Sequence, residues 1–258
     1  MTLPVFRIAP DDMKVDPGAV ITVNGSEGRH AVTVKRLRVG EKLMLGDGQG
    51  TLAICRVTDI DGKNTLRATV DGVKTVPRQK PPVTIVQGIP KGDAADLAVD
   101  LCTEAGADCI IPWQASRCVA QWSGAKKEKG RNKWRKTAIE AAKQSRRAWD
   151  PEIKPVATLD DIVALVSETQ RASGVVAILH ESARMTLETL PFNRAKSIVL
   201  IVGPEGGITK DELTALETAG GQAVIMGPTV LRSAAAGAVA LGAMGVLTCL
   251  LYTSPSPR

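Results

Sequence analysis

Short runs of alternating hydrophobic and polar residues dominate the first part of the chain. Strands are predicted at residues 20–23, 42–45 and 52–57, with turn dipeptides at 47–48 and 61–62 and a short helix at 30–37. Repeated short strands with little helix favour a small β-barrel domain at residues 1–73. The proline-rich segment 74–82 is predicted to be a linker.

From residue 83 onward, apolar strand-like runs alternate with helical periodicity. Strands are predicted at 83–87, 109–112, 175–179, 197–202 and 223–226, and helices at about 93–105, 126–147, 159–172, 210–219 and 233–250. This alternation predicts an α/β domain over residues 83–250 with a mostly parallel sheet. The apolar run 234–251 contains three glycines and is more typical of a buried helix than of a membrane span. The polar, proline-rich residues 251–258 are expected to be a disordered or artefactual tail.

The number and spacing of the cysteines and histidines argue against a disulfide-rich protein and against a metalloprotein. The 258 residues include five cysteines without CxxC spacing and two histidines far apart in sequence, which disfavours a disulfide framework or a bound metal. The first ten residues are not expected to act as a secretion signal. We therefore expect a reduced, cytoplasmic protein that binds neither metal nor membrane.

Positive charge is concentrated in one segment. The whole chain has a net charge of +6, whereas residues 124–147 carry ten basic residues and two glutamates. So local an excess indicates a binding site for a polyanion such as RNA, and a merely solvated helix is the alternative. The candidate RNA-binding residues, here and elsewhere, are Arg7, Lys35, Arg36, Arg38, Arg117, Lys126, Lys127, Arg131, Lys133, Arg135, Lys136, Arg146 and Arg147.

The most distinctive motif joins a predicted strand to a helix through the turn Gly203-Pro204-Glu205-Gly206-Gly207. Thr209 and Glu212 have the spacing of a capping box at the start of that helix. Such a junction exposes backbone N–H groups to a small ligand. The turn is neither a Walker A loop nor a GxGxxG fingerprint, which disfavours a nucleotide held by its phosphates.

Three predicted strands end in polar or glycine-rich residues, after Leu179, Val202 and Met226. In open α/β sheets, ligands bind outside the carboxyl ends of the strands, so these loops are expected to enclose one small molecule. The alternative is that the glycines only permit tight turns. Arg232, in the third loop, is either a ligand-facing cation or a surface ion-pair partner.

Several motifs, in order along residues 6–247, resemble the 16S ribosomal RNA uridine-N3 methyltransferases of the knotted SPOUT superfamily. They are Phe6-Arg7, the segment 30–41, Gln121-Trp122-Ser123-Gly124, Trp134-Arg135-Lys136, the segment 140–147, the turn 203–207 and the segment 227–232. Each motif is modest alone, but the ordered set is specific.

The resemblance implies a PUA-like barrel followed by an α/β domain with a C-terminal trefoil knot, and a homodimer. It also implies methylation of N3 of a specific uridine in the decoding region of 16S rRNA, on naked RNA or on the assembled small subunit, with S-adenosylmethionine as cofactor. The cofactor-binding residues that it implies are Leu179, His180, Glu181, Val202, Gly203, Pro204, Glu205, Gly206, Gly207, Met226, Gly227, Pro228, Leu231 and Ser233.

The sequence departs from the family at residues 233–236, where Ser-Ala-Ala-Ala replaces the common Thr-Glu-Thr-Ala. Ser233 keeps a hydroxyl that is able to cap the helix or contact the ligand. For catalysis, Arg232 is the candidate to stabilise charge developing on uridine. Glu205 or Glu181 is the candidate base, and the alternative is that either glutamate binds the ribose of the cofactor or caps a backbone turn. The departure leaves two alternatives: a catalytically silent RNA-binding or ribosome-assembly protein, and a knotted enzyme that acts on tRNA or on a ribose hydroxyl.

Overall fold

The structure is a computed structural model that describes residues 3–248, so the predicted tail at 251–258 lies outside the described residues. The chain divides into two units. The first contains the residues up to Arg78 together with Ala142–Asp150, and the second contains Gln79–Ala141 and the residues from Pro151 onward. The first unit thus includes a nine-residue segment that the sequence analysis assigned to the second domain.

The first unit is built on a five-stranded sheet in the order β1-β3-β4-β5-β2. Its strands are β1 (Val5–Arg7), β2 (Val20–Val23), β3 (Lys42–Gly46), β4 (Thr51–Asp61) and β5 (Thr65–Thr75). The β1–β3 pair is parallel and the other pairs are antiparallel. The predicted helix at 30–37 instead begins earlier, as α1 (Gly25–Arg29), and continues as a π-helical turn over His30–Val34. The predicted linker overlaps the end of β5.

Residues 142–150 are fixed to this first sheet by polar contacts. Arg7 forms an ion pair with Asp150 and donates a hydrogen bond to the carbonyl of Arg147 at 2.9 Å. Lys143 pairs with Glu27 at 2.7 Å. The Arg7 side chain is only 10% exposed. Because its guanidinium is enclosed and paired, Arg7 stabilises this unit and does not present a free cation to RNA.

The second unit contains a seven-stranded parallel sheet in the order β10-β12-β9-β11-β6-β7-β8. Its strands are β6 (Val83–Gly88), β7 (Cys109–Trp113), β8 (Glu152–Ile153), β9 (Val175–Leu179), β10 (Met185–Thr186), β11 (Ile198–Val202) and β12 (Gln222–Ile225). The helices are α2 (Ala94–Glu104), α3 (Ala125–Gln144), α4 (Leu159–Arg171), α5 (Lys210–Thr218) and α6 (Ser233–Thr248), and the last three residues of α3 belong to the first unit. The predicted parallel α/β sheet is confirmed.

Helices cover both faces of this sheet, as the apolar strands require. One core cluster joins Ile85 to α2 and α6, and the other joins Val86 to α4 and α5. Gly237 allows α6 to pack closely, because a Cβ atom there would lie 2.8 Å from the sulfur of Cys102. None of the described helices combines the length and apolarity needed to cross a membrane.

Candidate active site

The carboxyl ends of four neighbouring strands meet at one edge of the parallel sheet. Leu179 of β9 is paired with Val202 of β11 and with Val224 of β12, and Val202 is paired with Gln87 of β6. The three loops proposed from the sequence therefore lie side by side. The structure adds a fourth loop, after β6, which the sequence analysis did not include.

The glycine-rich turn packs directly against the end of β6. A Cβ atom at Gly88 would lie 2.5 Å from the backbone nitrogen of Pro204. Gly207 has a φ of +74°, and its N–H donates to the carbonyl of Pro204 at 2.9 Å. The guanidinium of Arg117 donates to the carbonyl of Gly206 at 3.0 Å, so this proposed RNA-binding residue contacts the turn. Close approach and a left-handed conformation explain why glycines occupy these positions.

Glu205 connects this turn to the loop after β6. Its carboxylate accepts a hydrogen bond from the backbone N–H of Lys91 at 3.0 Å. The side chain is exposed, and it is fixed to the backbone of a neighbouring loop. This geometry favours a role in shaping the turn over a role as a base.

Ser233, the first residue of α6, connects two other loops. Its hydroxyl donates to the carbonyl of Gly203 at 2.6 Å and accepts from the amide Nε2 of Gln87 at 3.0 Å. The hydroxyl was predicted to cap the helix or to contact the ligand, and in the structure it joins α6 to the turn. Gln87 was not predicted from the sequence, where its only signal is a polar residue inside an apolar strand.

Glu212 holds the start of α5 as the capping-box spacing predicted. Its carboxylate accepts from the N–H of Thr209 at 2.8 Å, and the hydroxyl of Thr209 accepts from the N–H of Glu212 at 3.2 Å. The second carboxylate oxygen accepts from the N–H of Ser116 at 2.7 Å. Burial raises the pKa of Glu212, but the hydrogen bonds from Ser116 and Thr209 outweigh it and lower the pKa below its ordinary value.

The loop after β9 is more open. The Nδ1 of His180 lies 2.9 Å from the hydroxyl of Ser182, and the backbone N–H of His180 donates to Val224 at 3.1 Å. Glu181 is exposed. A cavity of about 440 Å³ lies beside this loop, but of the proposed cofactor residues only His180 lines it. We therefore place the candidate site at the strand ends and not in this cavity.

The proposed cofactor residues differ in exposure. Val202, Pro204 and Ser233 are buried; Leu179, His180, Gly203, Gly207, Met226, Gly227 and Pro228 are half-buried; Glu181, Glu205, Gly206 and Leu231 are exposed. Arg232 is also exposed, and its carbonyl accepts from the N–H groups of Ala235 and Ala236 at the start of α6. Arg232 thus combines a backbone fixed at the start of α6 with a side chain exposed to solvent.

Helix α3 carries most of the proposed RNA-binding residues. Its buried face contains Trp134 and Ala138, and the ring of Trp134 packs edge-to-face on Trp122 with centroids 5.3 Å apart. Lys126, Lys127 and Lys136 are exposed. The helix therefore buries Trp134 and Ala138 and presents to solvent a mainly cationic surface, on which Ile139 is also exposed.

Some of the other cations have protein partners. Lys133 pairs with Asp96 at 2.5 Å, Arg135 with Glu128 at 3.4 Å, and Arg131 donates to the carbonyl of Ile153 at 3.0 Å. Hydrogen bonding and charge interaction with Asp96 raise the pKa of Lys133. In the first unit, Lys35, Arg36 and Arg38 are exposed, as is Arg146, while Arg147 is half-buried.

Within residues 3–248, no group of three or more His, Cys, Asp or Glu side chains is arranged to hold a metal ion.

Comparison with protein families gives two matches. Residues 78–245 match the RNA methyltransferase domain, and residues 23–71 match the RNA methyltransferase PUA domain. These matches cover most of the α/β sheet and of the five-stranded sheet.

Comparison with individual proteins gives the same result. The ribosomal RNA small subunit methyltransferase E of Mycobacterium tuberculosis is 50% identical over 92% of this chain and 90% of its own length, and that of Bacillus subtilis is 29% identical over 92% and 94%. The solved structure of the Neisseria gonorrhoeae protein of that name, bound to S-adenosylmethionine, has a TM-score of 0.83 at 25% identity. The superposition covers 95% of this chain and 98% of the Neisseria gonorrhoeae chain.

Proposed function

The chain belongs to the RNA methyltransferase family that includes the ribosomal RNA small subunit methyltransferases E, and on this premise we propose its reaction. The protein uses S-adenosylmethionine to methylate the RNA of the small ribosomal subunit. We propose that the target is N3 of one specific uridine in the decoding region of 16S rRNA. The reaction takes place in the cytoplasm, on naked RNA or on the assembled subunit.

The observation that carries the proposal is the convergence of the loops after β9, β11 and β12 at one sheet edge. These loops offer backbone groups and apolar side chains, which suit an adenosine group held without phosphates. A Gly203–Ser233 hydrogen bond fixes the second and third loops to each other. We propose that this edge binds the cofactor, and that Gly203–Gly207 form one wall of the site.

When bound, S-adenosylmethionine supplies an electrophilic methyl group. The protein's own contribution is to orient the uridine and to stabilise the negative charge that develops as N3 loses its proton. Arg232 is the proposed electrostatic group, because it is exposed and lies in the third loop, directly before α6. Glu205 is proposed to maintain the turn through Lys91, and we assign no base.

Two separate groups of exposed cations are proposed to contact the RNA: those of α3 and, on the first unit, Lys35, Arg36 and Arg38. Side chains of this kind contact phosphates and position the RNA without reading its sequence. Residues 1–73 are proposed to form an RNA-binding domain and residues 83–250 the methyltransferase domain. Arg7 is left out because of its ion pair with Asp150.

We also propose a trefoil knot and a homodimer. The knot is supported by the position of α6, which packs on β6, β11 and α2 and also on the short helical turns between 187 and 194. The dimer is supported by apolar side chains that α6 leaves exposed, Val239, Val246 and Leu247. Size-exclusion chromatography with light scattering tests the dimer.

The reaction is tested by incubating the purified protein with S-adenosylmethionine and, in parallel, naked 16S rRNA, assembled small subunits and tRNA. We expect N3-methyluridine in the digested product of one of the first two substrates. Methylation of a ribose hydroxyl or of tRNA would overturn the proposed target. Absence of methyl transfer despite cofactor binding would favour a silent assembly protein.

A further inference from the structure

Gln87 is the most unusual side chain of the parallel sheet. It is the penultimate residue of β6 and is only 1% exposed. The residues before it on the same face, Val83 and Ile85, are apolar and belong to the core under α2 and α6. A primary amide in such surroundings costs free energy unless its hydrogen bonds are satisfied, so this one requires an explanation.

The amide belongs to a hydrogen-bond relay with a fixed direction. Its Nε2 donates to the carbonyl of Gly88 and to the hydroxyl of Ser233, both at 3.0 Å. That hydroxyl donates to the carbonyl of Gly203 at 2.6 Å. Because a carbonyl can only accept, the proton of Ser233 lies toward Gly203, and Ser233 then accepts from the amide. The relay connects β6, the first turn of α6 and the glycine-rich turn.

These hydrogen bonds use the amide nitrogen of Gln87 but not its amide oxygen. The Oε1 atom of Gln87 is buried and has no hydrogen-bond partner within the described part of the chain. An unpaired buried acceptor offsets the stability that the donated hydrogen bonds provide. An apolar residue would therefore stabilise the core at this position better than Gln87 does. Gln87 instead directs two hydrogen-bond donors at the carbonyl of Gly88 and the hydroxyl of Ser233, whose positions apolar packing alone cannot fix.

We propose that Gln87 is a positioning residue for S-adenosylmethionine binding, acting through Ser233. It sets the place of the carbonyl of Gly203 and of the first turn of α6, and with them two of the loops assigned to the cofactor. The inference rests on the proposed function, since it requires the cofactor to bind at this edge.

The first test separates positioning from stability. Gln87→Met keeps the length of the side chain and removes both the donors and the unpaired acceptor. We expect the affinity for S-adenosylmethionine, measured by titration calorimetry, to fall about tenfold, the effect of losing about 1.4 kcal/mol. The KM for the cofactor should rise more than kcat falls, while the melting temperature stays equal to or above that of wild type.

Ile85→Val is the matched control, because it removes a buried methylene from the same face of β6 without touching the relay. It should lower the melting temperature and leave cofactor affinity unchanged. The proposal is overturned if Gln87→Met binds the cofactor as wild type does, or if Ile85→Val weakens binding equally.

The second test asks whether Gln87 acts through Ser233. Ser233→Ala should weaken cofactor binding as Gln87→Met does, and Ser233→Thr, which retains the hydroxyl, should restore it. The double variant Gln87→Met/Ser233→Ala should bind no more weakly than the worse single variant, because both changes break one network. Additive losses would overturn the relay. If wild type itself binds no S-adenosylmethionine, the proposed function fails and the inference fails with it.

Discussion

The strand-end edge of the parallel sheet and the exposed surface of α3 both carry functional candidates, but they are built in opposite ways. The edge is held by buried hydrogen bonds such as that from Gln87 to Ser233, and its glycines permit close backbone contact. The α3 surface consists of exposed cations such as Lys126 and Lys136. Cofactor binding at the edge should therefore be sensitive to single substitutions and insensitive to salt. RNA binding by the α3 surface should be sensitive to salt and tolerate single substitutions.

The largest effect is expected for Arg232→Ala. Loss of a cation that stabilises the transition state should lower kcat roughly 100-fold, by analogy with removal of an oxyanion donor. Affinity for S-adenosylmethionine should change little, because the backbone of Arg232 still caps α6. Single-turnover methylation and calorimetry measure the two quantities. A loss confined to cofactor affinity would assign Arg232 to binding and contradict this role.

Gly88→Ala tests the geometric side of the comparison. The added Cβ atom would meet the backbone nitrogen of Pro204 at 2.5 Å, so the turn must shift. Overpacking of this kind costs about 1–3 kcal/mol, and we expect at least tenfold weaker cofactor binding. Gly72→Ala is the matched control, since a Cβ there meets nothing within 4 Å. Wild-type cofactor affinity in Gly88→Ala would show that the turn does not form the site.

Neutralising Lys126, Lys127 and Lys136 to glutamine tests the electrostatic side. RNA affinity should fall on the order of tenfold, and the slope of log K against log salt should become shallower by about 2–3. The control replaces three exposed lysines elsewhere, Lys14, Lys74 and Lys196, with the same loss of charge. Equal effects in both variants would mean that net charge, and not the α3 surface, governs binding.

The lowered pKa of Glu212 gives the stability of the protein a pH dependence. Since this pKa is lowered in the folded state, the hydrogen bonds to Thr209 and Ser116 contribute stability above the unfolded pKa of about 4.5 and lose it as pH falls through the folded value. Glu212→Gln should cost about 1–3 kcal/mol at neutral pH and reduce the loss of stability on acidification. Urea unfolding at several pH values measures both, and an unchanged pH profile would contradict the assignment.

Glu205→Gln should have the smallest effect at the edge. The amide oxygen of glutamine still accepts from the N–H of Lys91, so the turn is preserved. We expect less than about a threefold change in kcat, far below the loss caused by removal of a general base. A fall of 100-fold or more with unchanged cofactor affinity would instead make Glu205 the base.

The sequence predicted more of the fold than of the site. The strand–turn–helix junction at Gly203 and the capping box of Glu212 were readable because each depends on local chemistry. The role of Gln87 could not be predicted from the sequence, since its partner Ser233 is 146 residues away. For the same reason Arg7 looked like an RNA contact: its charge is visible in the sequence, but its ion pair with Asp150, 143 residues away, is not.

The central claim is that the strand-end edge binds S-adenosylmethionine independently of the cationic surface of α3. Titration calorimetry with S-adenosylmethionine on wild type, Gly88→Ala and the triple-lysine variant tests it directly. We expect equal affinity for wild type and the lysine variant, and at least tenfold weaker binding for Gly88→Ala. Absence of binding to wild type, or an equal loss in both variants, would contradict it.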